Sequence, residues 1–198
     1  MPAKLDLYKK HASEYAAPRT PKLVTIAPAR YLTIAGKGEP GGEVFQQRLG
    51  ALYNMAFTIK MARKFAGRDY AVCKLEGLWW GGAKNPKHWS WKLLIRTPDF
   101  IAEAECRETA DQLAAKGKDP AVREVLLETL EEGPSVQMLH VGPYTEEAGT
   151  IASMESFARE KGLELHGRHH EIYLSDPRRV APARLRTILR HPVRPAMR

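Results

Sequence analysis

The stretch VQMLHVGPYTEEAGTIASMESFAREKGLELHGRHHEIYL (residues 136–174) decides the fold. Residues 136–141 read as a strand, and Gly142-Pro143-Tyr144 as a turn. Residues 145–161 put Ile151, Met154, Phe157 and Ala158 at helical spacing, with Thr145 as the expected N-cap and Gly162 as the stop. Residues 169–174 (HHEIYL) read as a strand with two distinct faces. After the turn at Ser175-Asp176-Pro177, residues 185–189 supply another strand.

The same order occurs nearer the N-terminus. Residues 5–15 read as a short helix ended by Pro18 and Pro21. Residues 22–35 (KLVTIAPARYLTIA) form a strand interrupted at Pro28, and GKGEPGG (36–42) is a turn. Residues 43–65 read as one long helix, with Val44, Leu49, Leu52, Ala56, Ile59 and Met61 recurring at helical spacing. Residues 70–78 and 89–96 read as strands, and Trp79-Trp80-Gly81-Gly82 as part of the loop between them. Residues 102–116 and 120–131 read as two exposed helices. The prediction is an α+β fold of one domain, residues 1–198, built from duplicated strand-helix-strand-strand (SHS2-type) units with pseudo-two-fold symmetry. The first unit covers about 22–97 and the second about 135–191, with a helical insert at about 98–134 between them. Two such half-sheets are expected to leave a cleft between the halves.

Composition narrows the function. Hydrophobic residues make up 43% and charged residues 27%, enough for a sizeable core. Cys73 and Cys106 stand in no CxxC pair and read as free thiols in a reducing compartment. The first residues lack a signal-peptide core and no run suits a membrane span, so a cytoplasmic protein without a membrane partner is expected. The net charge of +8 is concentrated at one end, where Arg178, Arg179, Arg184, Arg186, Arg190, Arg194 and Arg198 follow one another with no acid among them. No nucleic-acid-binding module accompanies this segment, so it reads as a solvated, solubilising end and nucleic acid is not the expected partner. There is no Walker spacing and no G-x-S-x-G elbow. His166, His169 and His170 cluster near Glu171, but His169 and His170 are adjacent on a strand and point opposite ways, and HEXXH is absent. Neither a metal nor a cofactor is expected. The oligomeric state is left open.

Four strings, LEGLWW (75–80), WSWKLLIRTPDF (89–100), LHVGPYTEE (139–147) and HHEIYLSDPRR (169–179), in this order resemble the GyrI-like small-molecule-binding family. The likeness is to its standalone branch, which is similar to cyclopropanoid hydrolases. The resemblance implies the duplicated fold, a ligand cleft between the halves, and an acidic residue from the second half that falls on Glu171. It brings three precedents: effector-binding domains of multidrug-responsive regulators, a gyrase inhibitor, and hydrolases that open the cyclopropane of DNA-alkylating natural products and so confer resistance.

Candidate site residues follow from residues and resemblance together. Period two puts His169, Glu171 and Tyr173 on one strand face and His170, Ile172 and Leu174 on the other. The second set is apolar enough to meet the helix, which leaves Glu171 and Tyr173 for the ligand. Glu171 would pair with a cation or activate water; its plainer reading is a strand glutamate paired with a nearby arginine. Tyr144 would hydrogen-bond a ligand carbonyl, and Glu76 is a candidate second acid. Trp79 and Trp80 would stack on flat ligands, joined by Trp91, although some of these tryptophans read equally as core. Tyr53 is a further aromatic candidate whose core reading is the simpler one. His140 abuts the same region and reads otherwise as a satisfied strand histidine. The expected function is binding of small, flat, apolar or cationic molecules. The second reading is hydrolysis of cyclopropane-bearing genotoxins, with Glu171 and Tyr144 catalytic. The alternative is an interaction role, such as modulating a DNA topoisomerase or serving as effector-binding partner of a transcription regulator.

Overall fold

A computed structural model describes residues 4–81 and 85–197. In chain order the elements are α1 (Leu7–Lys10), α2 (Ala12–Tyr15), β1 (Lys22–Ile26), β2 (Ala29–Lys37), α3 (Glu43–Phe65), β3 (Leu75–Trp80), β4 (Ser90–Arg96), α4 (Glu103–Ala115), β5 (Leu126–Leu130), β6 (Gly133–Val141), α5 (Glu147–Glu160), β7 (Leu163–Leu165), β8 (His169–Tyr173) and β9 (Arg186–Pro195). The chain divides into two compact units, one made of Met1–Lys10 and Ala29–Leu130, the other of His11–Pro28 and Glu131–Arg198. Among the described residues, no helix is long and apolar enough to cross a membrane.

The first unit is an antiparallel sheet in the order β3-β4-β2-β5. Helix α3 lies against β2 and β4 and buries Leu52, Met55 and Ile59. The register pairs Gly36 with Trp91 and Trp91 with Trp79, so these residues share one sheet face. The opposite face buries Ala29, Tyr31, Leu78 and Leu94, with Trp80 and Leu130 packed against them. Helix α4 packs on α3, and Arg63 reaches Glu105 at 2.6 Å.

Several expectations change here. Trp79 and Trp80 belong to β3 and not to a loop, because the ladder with β4 starts at Leu75 and runs to Trp80. Gly82, the last residue of the expected Trp79–Gly82 loop segment, lies outside the described residues. Residues 120–131 are not a second insert helix. Asp119 caps Ala121 N at 2.8 Å over a single 3-10 turn (Pro120–Glu124), and Leu126–Leu130 then pairs with β2. The unfilled edge of β2 offers that backbone a ladder, which overrides the local helical pattern. The strand read over 22–35 is two strands, because proline at 28 supplies no ladder N–H. Only β2 joins this unit; β1 pairs with β6 in the other. The helix read over residues 5–15 is two short helices separated at His11.

The second unit is an antiparallel sheet in the order β1-β6-β9-β8, with β7 on the far end of β9. Met154 and Ala158 of α5 pack on Val136, Leu189 and Val193, with Ile151 and Phe157 beside them, as the helical spacing predicts. The helix begins at Glu147 after a 3-10 turn (Tyr144–Glu146), so Thr145 is not its N-cap.

Register then fixes which face of β8 meets the helix. Leu189 lies opposite both Met138 and Glu171, so Glu171 is on the α5 side. Arg190 lies opposite both Gln137 and His170, so His170 is on the far side. This reverses the sequence expectation that the His170–Ile172 face meets the helix. The polar far face is buried by satisfying its charges within the unit. Glu132 meets His170 Nδ1 at 2.9 Å and Arg190 Nη1 at 3.0 Å. Arg190 also donates to Gln137 Oε1 at 3.1 Å and to the Glu14 carbonyl at 2.6 Å, which ties down the end of α2. Burial alone would raise the Glu132 carboxyl, but the charges and hydrogen bonds of His170 and Arg190 outweigh it and hold it down at about 2.

Removing Arg190 leaves a buried carboxylate with one partner fewer. Arg190→Ala should cost about 3–5 kcal/mol of stability in urea unfolding. Because the folded Glu132 carboxyl is depressed, its stabilisation is present above the unfolded value of 4.5 and is lost as pH falls toward about 2. Glu132→Gln should therefore flatten the acid limb of the stability profile. An unchanged acid limb would exclude Glu132 as its source.

Candidate functional site

The α5-facing side of the second unit gathers the polar groups that remain. Glu171 and Tyr173 stand on β8, His140 at the end of β6, Tyr144 in the 3-10 turn and Glu147 at the first residue of α5. The carboxyl oxygens of Glu147 and Glu171 and a ring nitrogen of His169 all lie within 4.8 Å of one another. Glu147 and Glu171 share a hydrogen bond. His169 Nε2 stands 3.5 Å from Glu171 Oε1. Among the described residues, the buried atoms Glu147 Oε1 and His169 Nε2 have no hydrogen-bond partner.

Two carboxylates this close in a buried place cannot both be ionised. Burial, then the Glu171 charge and its hydrogen bond, push the Glu147 carboxyl up to about 9. Glu147 therefore carries the proton at neutral pH and donates it toward Glu171. Burial and the charges of Glu171 and Glu147 likewise raise the Tyr144 phenol to about 12, so it remains a hydrogen-bond donor. Tyr144 is 39% exposed and meets Tyr173 edge-on, with ring centroids 5.8 Å apart. Burial, with His169 and His166 nearby, lowers His191 to about 4 and keeps it neutral. The group thus presents one negative charge, one transferable proton and an aromatic corner. Its donors suit a cation, organic or metallic.

His140 is buried and turned inward. Its Nδ1 lies 2.9 Å from Thr150 Oγ1 and its Nε2 3.2 Å from the Pro143 carbonyl. Both ring nitrogens are taken by protein groups, and the ring staples the turn that carries Tyr144 to α5. Of the residues picked out in the sequence, the fold brings Glu171, Tyr144, Tyr173 and His140 together. The second acid of this group is Glu147, which the sequence reading passed over. It ends the LHVGPYTEE string, and only the true start of α5 shows that it points at β8.

The remaining candidates lie in the first unit. Trp79 stacks on Phe45 at 6.2 Å and meets Trp89 edge-on at 5.8 Å. Trp91 is fully buried, donates to the Gly38 carbonyl at 3.1 Å and packs edge-on against Phe45 at 5.0 Å. Trp80 is half-buried on the opposite sheet face, the face that also carries Glu76. Glu76 is 1% exposed. Tyr53 stacks on Phe57 at 6.0 Å, and Phe57 is 51% exposed.

Residues 99–194 match the family described as the GyrI-like small molecule binding domain. Two solved structures from Listeria innocua, titled a hydrolase and an uncharacterized conserved protein, are each 37% identical to this chain. Each covers 96% of it and is itself covered completely, with TM-scores of 0.89 and 0.91. The chain thus belongs to one family with these two Listeria innocua proteins, and the GyrI-like match covers its residues 99–194. The EcmrR C-terminal domain shares the fold at TM-score 0.62 and 11% identity, over 89% of this chain and 98% of that one. A search of curated proteins finds no significant match.

Two predictions follow from this geometry. A raised folded value means that the contribution of Glu147 to stability is complete below its unfolded value of 4.5 and declines as pH rises toward about 9. Glu147→Gln should flatten that alkaline decline, read by thermal unfolding across pH, and carboxyl-carbon NMR should show a Glu147 midpoint far above 4.5. An ordinary midpoint would separate the two acids. At Gly36, an added Cβ would fall on the Trp91 indole. Gly36→Ala should cost about 1–3 kcal/mol by overpacking and shift the Trp fluorescence; a neutral substitution would show that Trp91 has room to move.

Proposed function

We propose that this GyrI-like domain binds flat organic molecules, apolar or cationic, at the Glu147–Glu171 pair, and that it hydrolyses those carrying a strained electrophilic ring. The observation that carries the reading is the buried acid pair with an unpartnered oxygen beside the exposed Tyr144. A single negative charge in a half-buried place favours a cation, and Tyr144 and Tyr173 offer aromatic surface for a flat body.

The same groups suit ring opening. Glu171 accepts a proton from water as the water oxygen attacks the ring methylene. The strained carbon–carbon bond breaks, and its electron pair moves into the conjugated carbonyl. Tyr144 hydrogen-bonds that oxygen, and the Glu147 proton neutralises it. The product is the ring-opened alcohol, and one proton has been taken and one given. Ring strain supplies much of the driving force, so one base and one acid suffice. The likeness to a solved hydrolase supports this choice of chemistry.

We also infer that the two units derive from one duplicated strand-helix-strand-strand motif. In the first unit β2, α3, β3 and β4 follow one another, with β4 pairing both β2 and β3. In the second, β6, α5, β8 and β9 come in the same order, with the short β7 between α5 and β8, and β9 pairs both β6 and β8.

Tryptophan fluorescence titrated with flat cationic dyes and a cyclopropane-bearing alkylator tests the function, with mass spectrometry of the alkylator for a water adduct. The wild type should bind both and hydrate the alkylator. Glu171→Gln should weaken cationic dyes at least about tenfold and abolish the adduct. Binding without any adduct would leave a binding protein. Binding and turnover unaffected by Glu171→Gln would remove the acid pair from the site.

A further inference from the structure

The arginine-rich segment singled out in the sequence is mostly accounted for inside the fold. Arg190 is buried on Glu132, Arg194 is paired with Glu164 at 2.6 Å, and Arg178 and Arg179 share Asp176. Arg184 and Arg186 are different, because they form no ion pair among the described residues. Together with Arg19, also unpaired, they line a groove of about 670 Å³ in the second unit. Leu139 and Val141 provide apolar lining, and Ser175 adds a hydroxyl. Register shows that the groove lies on the far side of the sheet from α5: Val141 pairs with Arg186, and Leu139 with Ile188, in the row that also carries Arg190. It is therefore separate from the Glu147–Glu171 pair and opposite to it in charge. No acid contributes to its lining.

Three unpaired guanidiniums set around apolar side chains have a definite complement. Each presents a planar fork that fits a carboxylate, sulfonate or phosphate, and the aliphatic lining suits an uncharged body attached to that anion. The backbone already holds part of the arrangement in place. Arg186 N donates to Ser175 Oγ at 3.1 Å, and the 3-10 turn Pro182–Arg184 is closed by Leu185 N on the Pro182 carbonyl at 3.1 Å. On the other side, Leu139 N bonds the Pro18 carbonyl at 2.8 Å, which brings Arg19 to the groove. We propose that this groove is a second ligand site, taking a small organic anion with an apolar body.

Dansylglycine and dansylamide share one fluorescent apolar body and differ by a carboxylate, so together they test the proposal on the full chain. Dansylglycine should bind saturably, and dansylamide at least about tenfold more weakly. The double variant Arg184→Gln/Arg186→Gln should lose dansylglycine by a similar factor while its binding of cationic dyes stays unchanged. Glu171→Gln should do the reverse, so the two sites can fail independently. Equal binding of both dansyl probes, or dansylglycine binding that survives the double variant, would overturn the proposal. Displacement of dansylglycine by short duplex DNA at matched anion concentration would also overturn it, by making this face a general polyanion surface. The substituted side chains are exposed, and matching circular dichroism confirms that the variants fold.

Discussion

The second unit depends on one buried carboxylate. Glu132 holds His170 and Arg190 at once, and Arg190 passes the connection on to Gln137 and to the backbone of α2. A charged row on a sheet face is normally left in water, because burying a lone ion costs far more than a strand pairing returns. Here the charges cancel, so β6, β8 and β9 can be covered on both faces. With His170 tied to one side, alternation sends its neighbours His169 and Glu171 to the other.

That second side carries the acid pair. Glu171 is delivered to the start of α5, where Glu147 occupies the first helical position. Acidic residues are usual in a first helical turn, since the helix dipole favours them there. What is unusual is burial beside a second carboxyl. The crowding keeps one proton on the pair and leaves an oxygen without a protein partner. Beside it, Tyr144 and Tyr173 meet edge-on. His140, fixed by Thr150 and Pro143, sets the turn that brings these groups to one place.

The family resemblance and the physical reading agree on Glu171 but arrive differently. The motif HHEIYLSDPRR points to the residue without saying what surrounds it. Among the described residues those surroundings hold Glu147 and His169. In the first unit the reverse holds for Trp91. Its period-two position suits a wall of a site, yet Gly36 across the ladder has no side chain, and the indole fills that space completely. The surplus arginines, which look like a uniform solvated tail in the sequence, separate into a buried hub (Arg190), ordinary surface pairs, and Arg184 and Arg186, which form no ion pair among the described residues.

Local patterns were enough for much of this. The α+β class, helix α3 residue for residue, the inward stripe of α5 and the two-faced nature of β8 were all legible, because each follows from side-chain period within one continuous segment. What tertiary structure alone decided is how the segments share edges and faces. Leu126–Leu130 became a strand because β2 had an open edge. Lys22–Ile26 left its neighbour in sequence to pair with β6. The side of β8 that meets α5 was set by register with β9, because Met138 and Glu171 both lie opposite Leu189. For the same reason, the partner of Glu171 is Glu147 and could not be read in advance: the two are 24 positions apart, and only the docking of α5 on β8 brings their carboxyls within reach of one proton.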